Sequence, residues 1–361
     1  MKKLFAIFAA AVLAAGCLSA CGTETVTDTP TAQKSGDDIA EASGEKLQIV
    51  TTIFPEYDWT KEVLGDLADN AELTLLLDNG VDLHSYQPTV DDILKISTCD
   101  LFIYVGGESD DWVEDALAES TNPDMVVINL LDVLGDSVKT EEIVEGMEHV
   151  HDHDHEDEDS EEEHDHDHED EDSEEEHDHD REEEKDEHVW LSLRNAMTLC
   201  DAIAEALGQI DSVNADIYRT NADAYNALLS DLDAQYAEAV AAADKDTLLF
   251  GDRFPFRYLV DDYDLDYYAA FTGCSAETEA SFETIVFLAG KVDELGLNSI
   301  LTIENTQHRI AETVRDNTES KDQTILVMDS LQSTTSDDIA AGTTYLSVMT
   351  DNLEVLKEAL K

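Results

Sequence analysis

The chain has 361 residues, with 86 acidic against 20 basic side chains and a formal net charge of −66. So acidic a polypeptide repels a phosphate backbone, which excludes nucleic acid as a partner, and it favours solubility and the attraction of cations. Segment 148–187 holds 26 acids against Arg181 and Lys185, so −24 of the charge sits there and −42 is spread over the remainder.

Lys2 and Lys3 precede an apolar stretch over residues 4–15, the pattern of a secretory signal and too short for a permanent membrane span. Leu18-Ser19-Ala20-Cys21-Gly22 then matches a bacterial lipobox, in which small residues precede a cysteine that is lipidated and becomes the new N-terminus. Cys21 is favoured over Cys17 because Leu18 stands three residues before it. Ordinary signal-peptidase cleavage with a spare cysteine is the alternative. The signal is assigned to residues 1–21, and residues 22–46, rich in Thr, Ser, Gly, Asp and Glu, to a flexible tether.

From residue 47 strand-like and helix-like segments alternate. Residues 47–53, 71–77, 101–107 and 125–130 are apolar or β-branched runs that predict strands. Helical spacing falls between them, at 56–67, 91–97 and 111–120. This βαβα order predicts a mainly parallel sheet wrapped by helices. Residues 47–212 are assigned to an N-terminal lobe.

A loop at 148–187 interrupts that lobe. The unit HDHDHEDEDSEEE fills residues 151–163, repeats unchanged over 164–176, and begins a third time at His177. Nine of the twelve histidines lie here: His149, His151, His153, His155, His164, His166, His168, His177 and His179. The tract has no apolar face to bury and is expected to be disordered. Imidazole suits zinc, copper and nickel, so many weak, exchangeable metal sites are expected on it.

Residues 191–211 read as an amphipathic helix, and residues 213–243 continue without Gly or Pro. The apolar positions Ile217, Ala224, Leu228, Leu232, Tyr236 and Val240 recur at helical spacing, which predicts a rod about 45 Å long joining two lobes. The second lobe, 244–361, repeats the alternation: strands at 247–252, 265–271, 299–304 and 324–330, helices at 256–263, 281–296, 306–318 and 343–360. The predicted class is α/β, two lobes each built on a mainly parallel sheet.

Ligands in such sheets lie beyond the carboxyl ends of the strands, where His84, Asp252, Glu304 and Asp329 fall. His188 stands where the acidic tract returns to apolar sequence at Val189 and Trp190. For His84 the bland alternative is a solvated loop histidine, and for Asp252 and Asp329 it is a helix N-cap. Glu304 and His308 have the spacing of one helix face, as a reserve ligand or supporting pair, against the commoner reading of a helix-start carboxylate and a surface histidine. Arg253 and Arg257 are candidates to pair with site carboxylates. Cys99 and Cys200 sit in apolar contexts and read as buried packing residues. Cys274 has a weak claim as a soft ligand.

Several motifs agree in order and spacing with one family: G-x-D-x-H-x-Y-x-P-T at residues 80–89, HVWLS at 188–192, F-x-Y-L at 256–259, EASFETI at 279–285, and the closing segment 344–360. Over residues 47–361 the chain resembles the metal-binding lipoproteins of zinc and manganese ABC transporters (cluster A-I, or cluster 9), in particular the zinc branch, which carries a His-rich acidic loop before the second histidine. The resemblance implies a lipid-anchored, monomeric receptor outside the cytoplasm that captures Zn²⁺ between its lobes and passes it to a membrane permease driven by an ATPase. It carries the first two metal ligands over to His84 and His188, the third to Asp252 and the fourth to Asp329. The third position is histidine in zinc members, so Asp252 is a departure. Two imidazoles with two carboxylates form a harder set that tilts towards Mn²⁺, while the His-rich loop tilts towards Zn²⁺.

Two other classes compete. A zinc hydrolase would want an open water position and a base, and the sequence holds no HExxH and no GxSxG. A surface metal buffer or adhesin would put the main work on the tract itself.

Overall fold

A computed structural model of the chain describes residues 46–147, 184–275, 279–304 and 306–361. The signal peptide, Cys17, Cys21, the tether and all nine tract histidines lie outside the described residues. The first half runs β1 (Leu47–Thr51), α1 (Phe54–Leu64), β2 (Ala71–Leu75), α2 (Val90–Thr98), β3 (Leu101–Tyr104), α3 (Trp112–Ala118), β4 (Val126–Asn129) and α4 (Leu130–Leu134). Two long helices follow, α5 (Leu193–Ile210) and α6 (Ala215–Ala241). The second half runs β5 (Thr247–Phe254), α7 (Arg257–Asp262), β6 (Asp266–Thr272), α8 (Phe282–Leu295), β7 (Ser299–Thr302), α9 (Arg309–Asn317), β8 (Thr324–Val327), α10 (Ser336–Ala341) and α11 (Tyr345–Ala359). Among the described residues, no helix is long and apolar enough to cross a membrane.

The strands form two four-stranded sheets with the orders β2-β1-β3-β4 and β6-β5-β7-β8, and every pairing is parallel. Burial on both faces explains why the inner strands read as unbroken apolar runs. Ser299–Thr302 is buried throughout, and so are the first three residues of Leu101–Tyr104. Side-chain caps start the helices: Thr89 accepts from Asp92 N–H at α2, Ser281 from Thr284 N–H at α8, and Thr344 from Ser347 N–H at α11.

Helix α6 is the predicted rod, about 40 Å long at 27 residues. Its buried stripe differs from the expected one. Tyr218, Ala222, Tyr225, Leu229, Leu232 and Tyr236 face inward, whereas Ile217, Ala224 and Leu228 are exposed. Two of the stripe's three tyrosines also bond through their hydroxyls: Tyr218 donates to Asp211, and Tyr236 donates to Met349 O of α11 at 2.6 Å. The rod packs on α1 and α5 of the first lobe and on α11 of the second. One hydrophobic core runs from β1 and β3 through α5 and α6 to Phe250, Phe254 and Tyr345, and a smaller one fills the space between the second sheet and α8 and α9. Both lobes belong to one compact unit, Glu45–Lys361.

The acidic tract is shorter than its sequence suggests. Residues 184–187, read as its end, are part of the fold. Glu141 N–H donates to Glu184 O, Asp186 N–H donates to Lys139 O, and Thr140 and Lys185 form an antiparallel bridge. Asp186 and Glu187 are buried.

Three carboxyls are buried close to the first sheet. Glu56 accepts from Thr52 and Ile53 N–H, Asp58 accepts from Tyr345 N–H, and Asp110 accepts from Gly106 N–H. Burial raises all three, Asp58 to about 6 and Asp110 to about 7. Between the ordinary aspartate value of 3.8 and these raised values the folded state holds more protons than the unfolded chain. Stability therefore falls as pH rises through that window. Thermal unfolding of the metal-free protein should shift downward between about pH 5 and pH 7, and Asp110→Asn should flatten that slope.

Candidate metal centre

The centre is built at the carboxyl ends of the strands, as parallel sheets favour. After β2 the chain turns at Asp82, whose carboxylate caps a short helical turn by accepting from His84 N–H at 3.0 Å. Leu83, 1% exposed, pins that turn to the core. After β3, Gly106 and Gly107 adopt φ of 91° and 87° and lead into the turn that carries Ser109. A Cβ on Gly107 would lie 2.3 Å from Glu187 Oε1, so glycine is what lets Glu187 approach. The segment returning from the tract then supplies Asp186, Glu187 and His188 in succession.

His84 and His188 meet with their Nε2 atoms 3.1 Å apart. The far side of each ring is fixed by oxygen. His188 Nδ1 lies 3.0 Å from Asp186 Oδ1, and His84 Nδ1 lies 2.7 Å from Ser109 Oγ and 3.4 Å from Glu187 Oε2. Carboxylate oxygen beside each Nδ1 favours the ring proton there, which would leave both Nε2 lone pairs for a metal, as in metal-ligating histidines backed by carboxylates. Two nitrogens bound to one tetrahedral zinc at about 2.05 Å stand about 3.3 Å apart, close to the spacing seen. Burial disfavours charge on the His188 ring, yet Asp186, Glu187 and Asp82 together raise it above its ordinary value. For Glu187 burial is outweighed by bonds with His84 and Ser109, which hold it below its ordinary value.

Cys274 completes the group. One ring nitrogen from each histidine and the Cys274 Sγ all lie within 4.8 Å of one another, the one set of three metal-ligating side chains so gathered among the described residues. Cys274 follows β6, and its N–H donates to Glu141 Oε1 at 3.0 Å. Next to it, Gly273 makes room for the His188 ring, since a Cβ there would lie 2.8 Å from Cε1.

The other expected ligands are placed elsewhere. β5 carries a one-residue bulge: Phe250 pairs with Ala269 and Arg253 with Phe271, so the Gly251–Asp252 step has one residue too many. Bulges re-aim side chains. Asp252 turns to Thr302, which donates to its Oδ2 at 2.5 Å, and the structure does not bring it into the histidine group. Arg253 faces the first lobe, with Nη2 2.6 Å from Asp82 Oδ2 and Nη1 donating to Ser275 O. Arg257 pairs instead with Glu142 and Asp261.

Asp329 also lies outside the gathered group. Its Oδ1 accepts from Leu331 N–H, and burial with the nearby Glu304 charge raises its carboxyl to about 7. Glu304 accepts from the N–H and hydroxyl of Ser330. Glu304 and His308 do not share a helix face. α9 begins only at Arg309, and His308 has a left-handed φ of 53° with its Nδ1 3.1 Å from the Thr302 and Thr306 hydroxyls.

The supporting residues Asp186, Glu187 and Ser109 carry no motif of their own. Their only signal is position, two acids immediately before His188 and a serine just past the Gly-Gly end of β3.

A family model described as ZnuA, zinc-uptake complex component A periplasmic, matches residues 49–359. Zinc-binding lipoprotein AdcA of Streptococcus pneumoniae (strain ATCC BAA-255 / R6) is 31% identical over 316 residues, covering 87% of this chain and 56% of its own length. The chain thus spans little more than half the length of the streptococcal AdcA proteins it matches. The high-affinity zinc uptake system protein ZnuA of Bacillus subtilis (strain 168) is 28% identical over 321 residues, covering 89% of this chain and 90% of its own. The crystal structure of the Zn(II)-bound ZnuA-like domain of Streptococcus pneumoniae AdcA aligns with a TM-score of 0.63 at 28% identity, covering 87% of this chain and 99% of that one.

If Asp186 orients the His188 ring, Asp186→Asn should weaken divalent-metal affinity by about 10- to 100-fold, read by competitive titration against a chromogenic chelator.

Proposed function

This chain belongs to the ZnuA family of periplasmic zinc-uptake components, and on that premise we propose that it is an extracytoplasmic receptor which captures Zn²⁺ and delivers it to the permease of an ABC transporter, driven by that transporter's ATPase. The observation that carries this reading is the pair of half-buried His84 and buried His188, converging through Nε2 at 3.1 Å and backed on the outer nitrogens by Asp186, Glu187 and Ser109. Zinc is cargo here, bound by His84 and His188 in the first place. Asp329, just past β8 and outside the gathered group, would complete the shell as a carboxylate once metal draws its loop in. Asp252, turned towards Thr302, is left out of the ligand set.

The chain has no catalytic role in this reading. Asp186 and Glu187 are engaged with the outer ring nitrogens, which leaves neither of them placed as a base for a metal-bound water. Lipidation at Cys21 would hold the receptor at the membrane surface. The histidine tract would raise the local metal concentration through weak, exchangeable sites. A continuous core and the α6 rod limit hinge bending, so metal release would proceed by local shifts of the site loops.

Deleting residues 149–180 separates receptor from buffer. Titration of the deleted protein with Zn²⁺ and with Mn²⁺ should keep one tight site while several weak ones vanish. His84→Ala in the same background should abolish the tight site, and Asp329→Ala should weaken it. Loss of all tight binding with the tract would refute the cleft assignment and favour a surface buffer.

A further inference from the structure

Granted that receptor function, the geometry points to Cys274 as the third metal ligand, a thiolate that makes the site soft enough to prefer zinc over manganese. The cysteine is placed with the two histidines, its Sγ within 4.8 Å of a nitrogen of each ring. It is held there through its backbone and the residue before it. Glu141 accepts from its N–H, and Gly273 lets the His188 ring lie against the preceding residue. The two other cysteines among the described residues, Cys99 and Cys200, are fully buried in the core, which suits packing alone.

The end of β5 supplies no competing ligand. The bulge turns Asp252 to Thr302 and presents Arg253, whose guanidinium is bound by Asp82 and Ser275 O. A cation cannot ligate a metal, so the third place falls to the neighbouring loop after β6.

The chemistry follows from ligand softness. Two imidazoles with a thiolate suit zinc, whereas manganese is suited by carboxylate, carbonyl and water oxygens. On binding, the Cys274 S–H bond breaks, the proton passes to solvent, and a zinc–sulfur bond forms with no change of oxidation state. Replacing an expected carboxylate by this thiolate removes the tilt towards manganese that Asp252 would have given.

The test uses the full chain with Co²⁺ as a spectroscopic stand-in for Zn²⁺. A thiolate ligand gives sulfur-to-cobalt charge-transfer absorption in the near ultraviolet, which the tract histidines cannot produce. We expect about one equivalent of Co²⁺ to raise that band, Zn²⁺ to quench it, and Cys274→Ser to abolish it. Cys274→Ser should also weaken Zn²⁺ binding by about 100-fold or more, since loss of even an outer partner costs about 10- to 100-fold, while Mn²⁺ affinity changes far less. Cys274→His keeps a ligand and removes the sulfur, so it should retain tight Zn²⁺ binding without the band, which guards against misfolding of the serine variant. Tight Zn²⁺ binding that depends on His84 but shows no sulfur band in the native chain would overturn the thiolate and leave the receptor reading intact. Tight binding that survives His84→Ala would overturn the receptor site itself, and the thiolate with it.

Discussion

Two imidazoles that meet at 3.1 Å, nitrogen to nitrogen, can both offer those nitrogens to a metal only where something fixes the other side of each ring. Here oxygen does so, from Asp186 for one ring and from Ser109 and Glu187 for the other. Those acceptors are themselves held. Glu187 accepts from Ser109 N–H, Asp186 Oδ1 also accepts from His188 N–H, and Tyr258 donates to the Asp186 carbonyl at 2.7 Å. The first lobe supplies His84 and its serine, the strand-like return supplies His188 and both acids, and α7 of the second lobe supplies the tyrosine. Without this backing the rings would rotate to satisfy their inner nitrogens with water, and the convergent lone pairs would be lost.

The same contacts tie the lobes together. Trp190, two residues after His188, donates from its indole to Ser330 O, and Tyr345 donates to Trp190 O. Asp58 of α1 accepts from the Tyr345 N–H at the start of α11. Arg253 reaches Asp82 across the cleft. Each is a buried or half-buried polar link whose loss would strand a partner, so they add specificity of alignment to the apolar core between them. The spacing of the two histidines is thereby a property of how the lobes are joined, and a shift of either loop alters it directly.

Much of this was legible in the sequence. All eight strands announced themselves as short apolar runs between turn signals, the inner ones most plainly because parallel strands inside a sheet are covered on both faces. His84 and His188 stood out by motif and by place. The failures are local and have physical causes. Strict alternation could not tell that Asp252 turns away, since a bulge resets which side each residue faces, and Gly251 inside a strand was its one signal. Asp186 and Glu187 looked like the last acids of a solvated run, although they are 2% exposed. Hydrophobicity alone misplaced the α6 stripe, because the buried face is carried largely by Tyr218, Tyr225 and Tyr236, while Ile217 and Leu228 are exposed. Cys274 looked ordinary because it meets His84 and His188 in space, not in sequence.

The clasp formed by Lys139, Thr140 and Glu141 against Glu184, Lys185 and Asp186 closes the base of the insertion before the chain reaches His188. Anchored this way, the two ends are held together whatever length of chain runs between them. Each doubling of a flexible insertion costs only about 0.6 kcal/mol in closure entropy. The thirteen-residue unit can therefore be copied or lost by genetic slippage with little effect on the ligands beyond the clasp. On the proposed reading, metal scavenging capacity and metal affinity would be separately heritable traits, one set by repeat number and the other by a fixed handful of side chains.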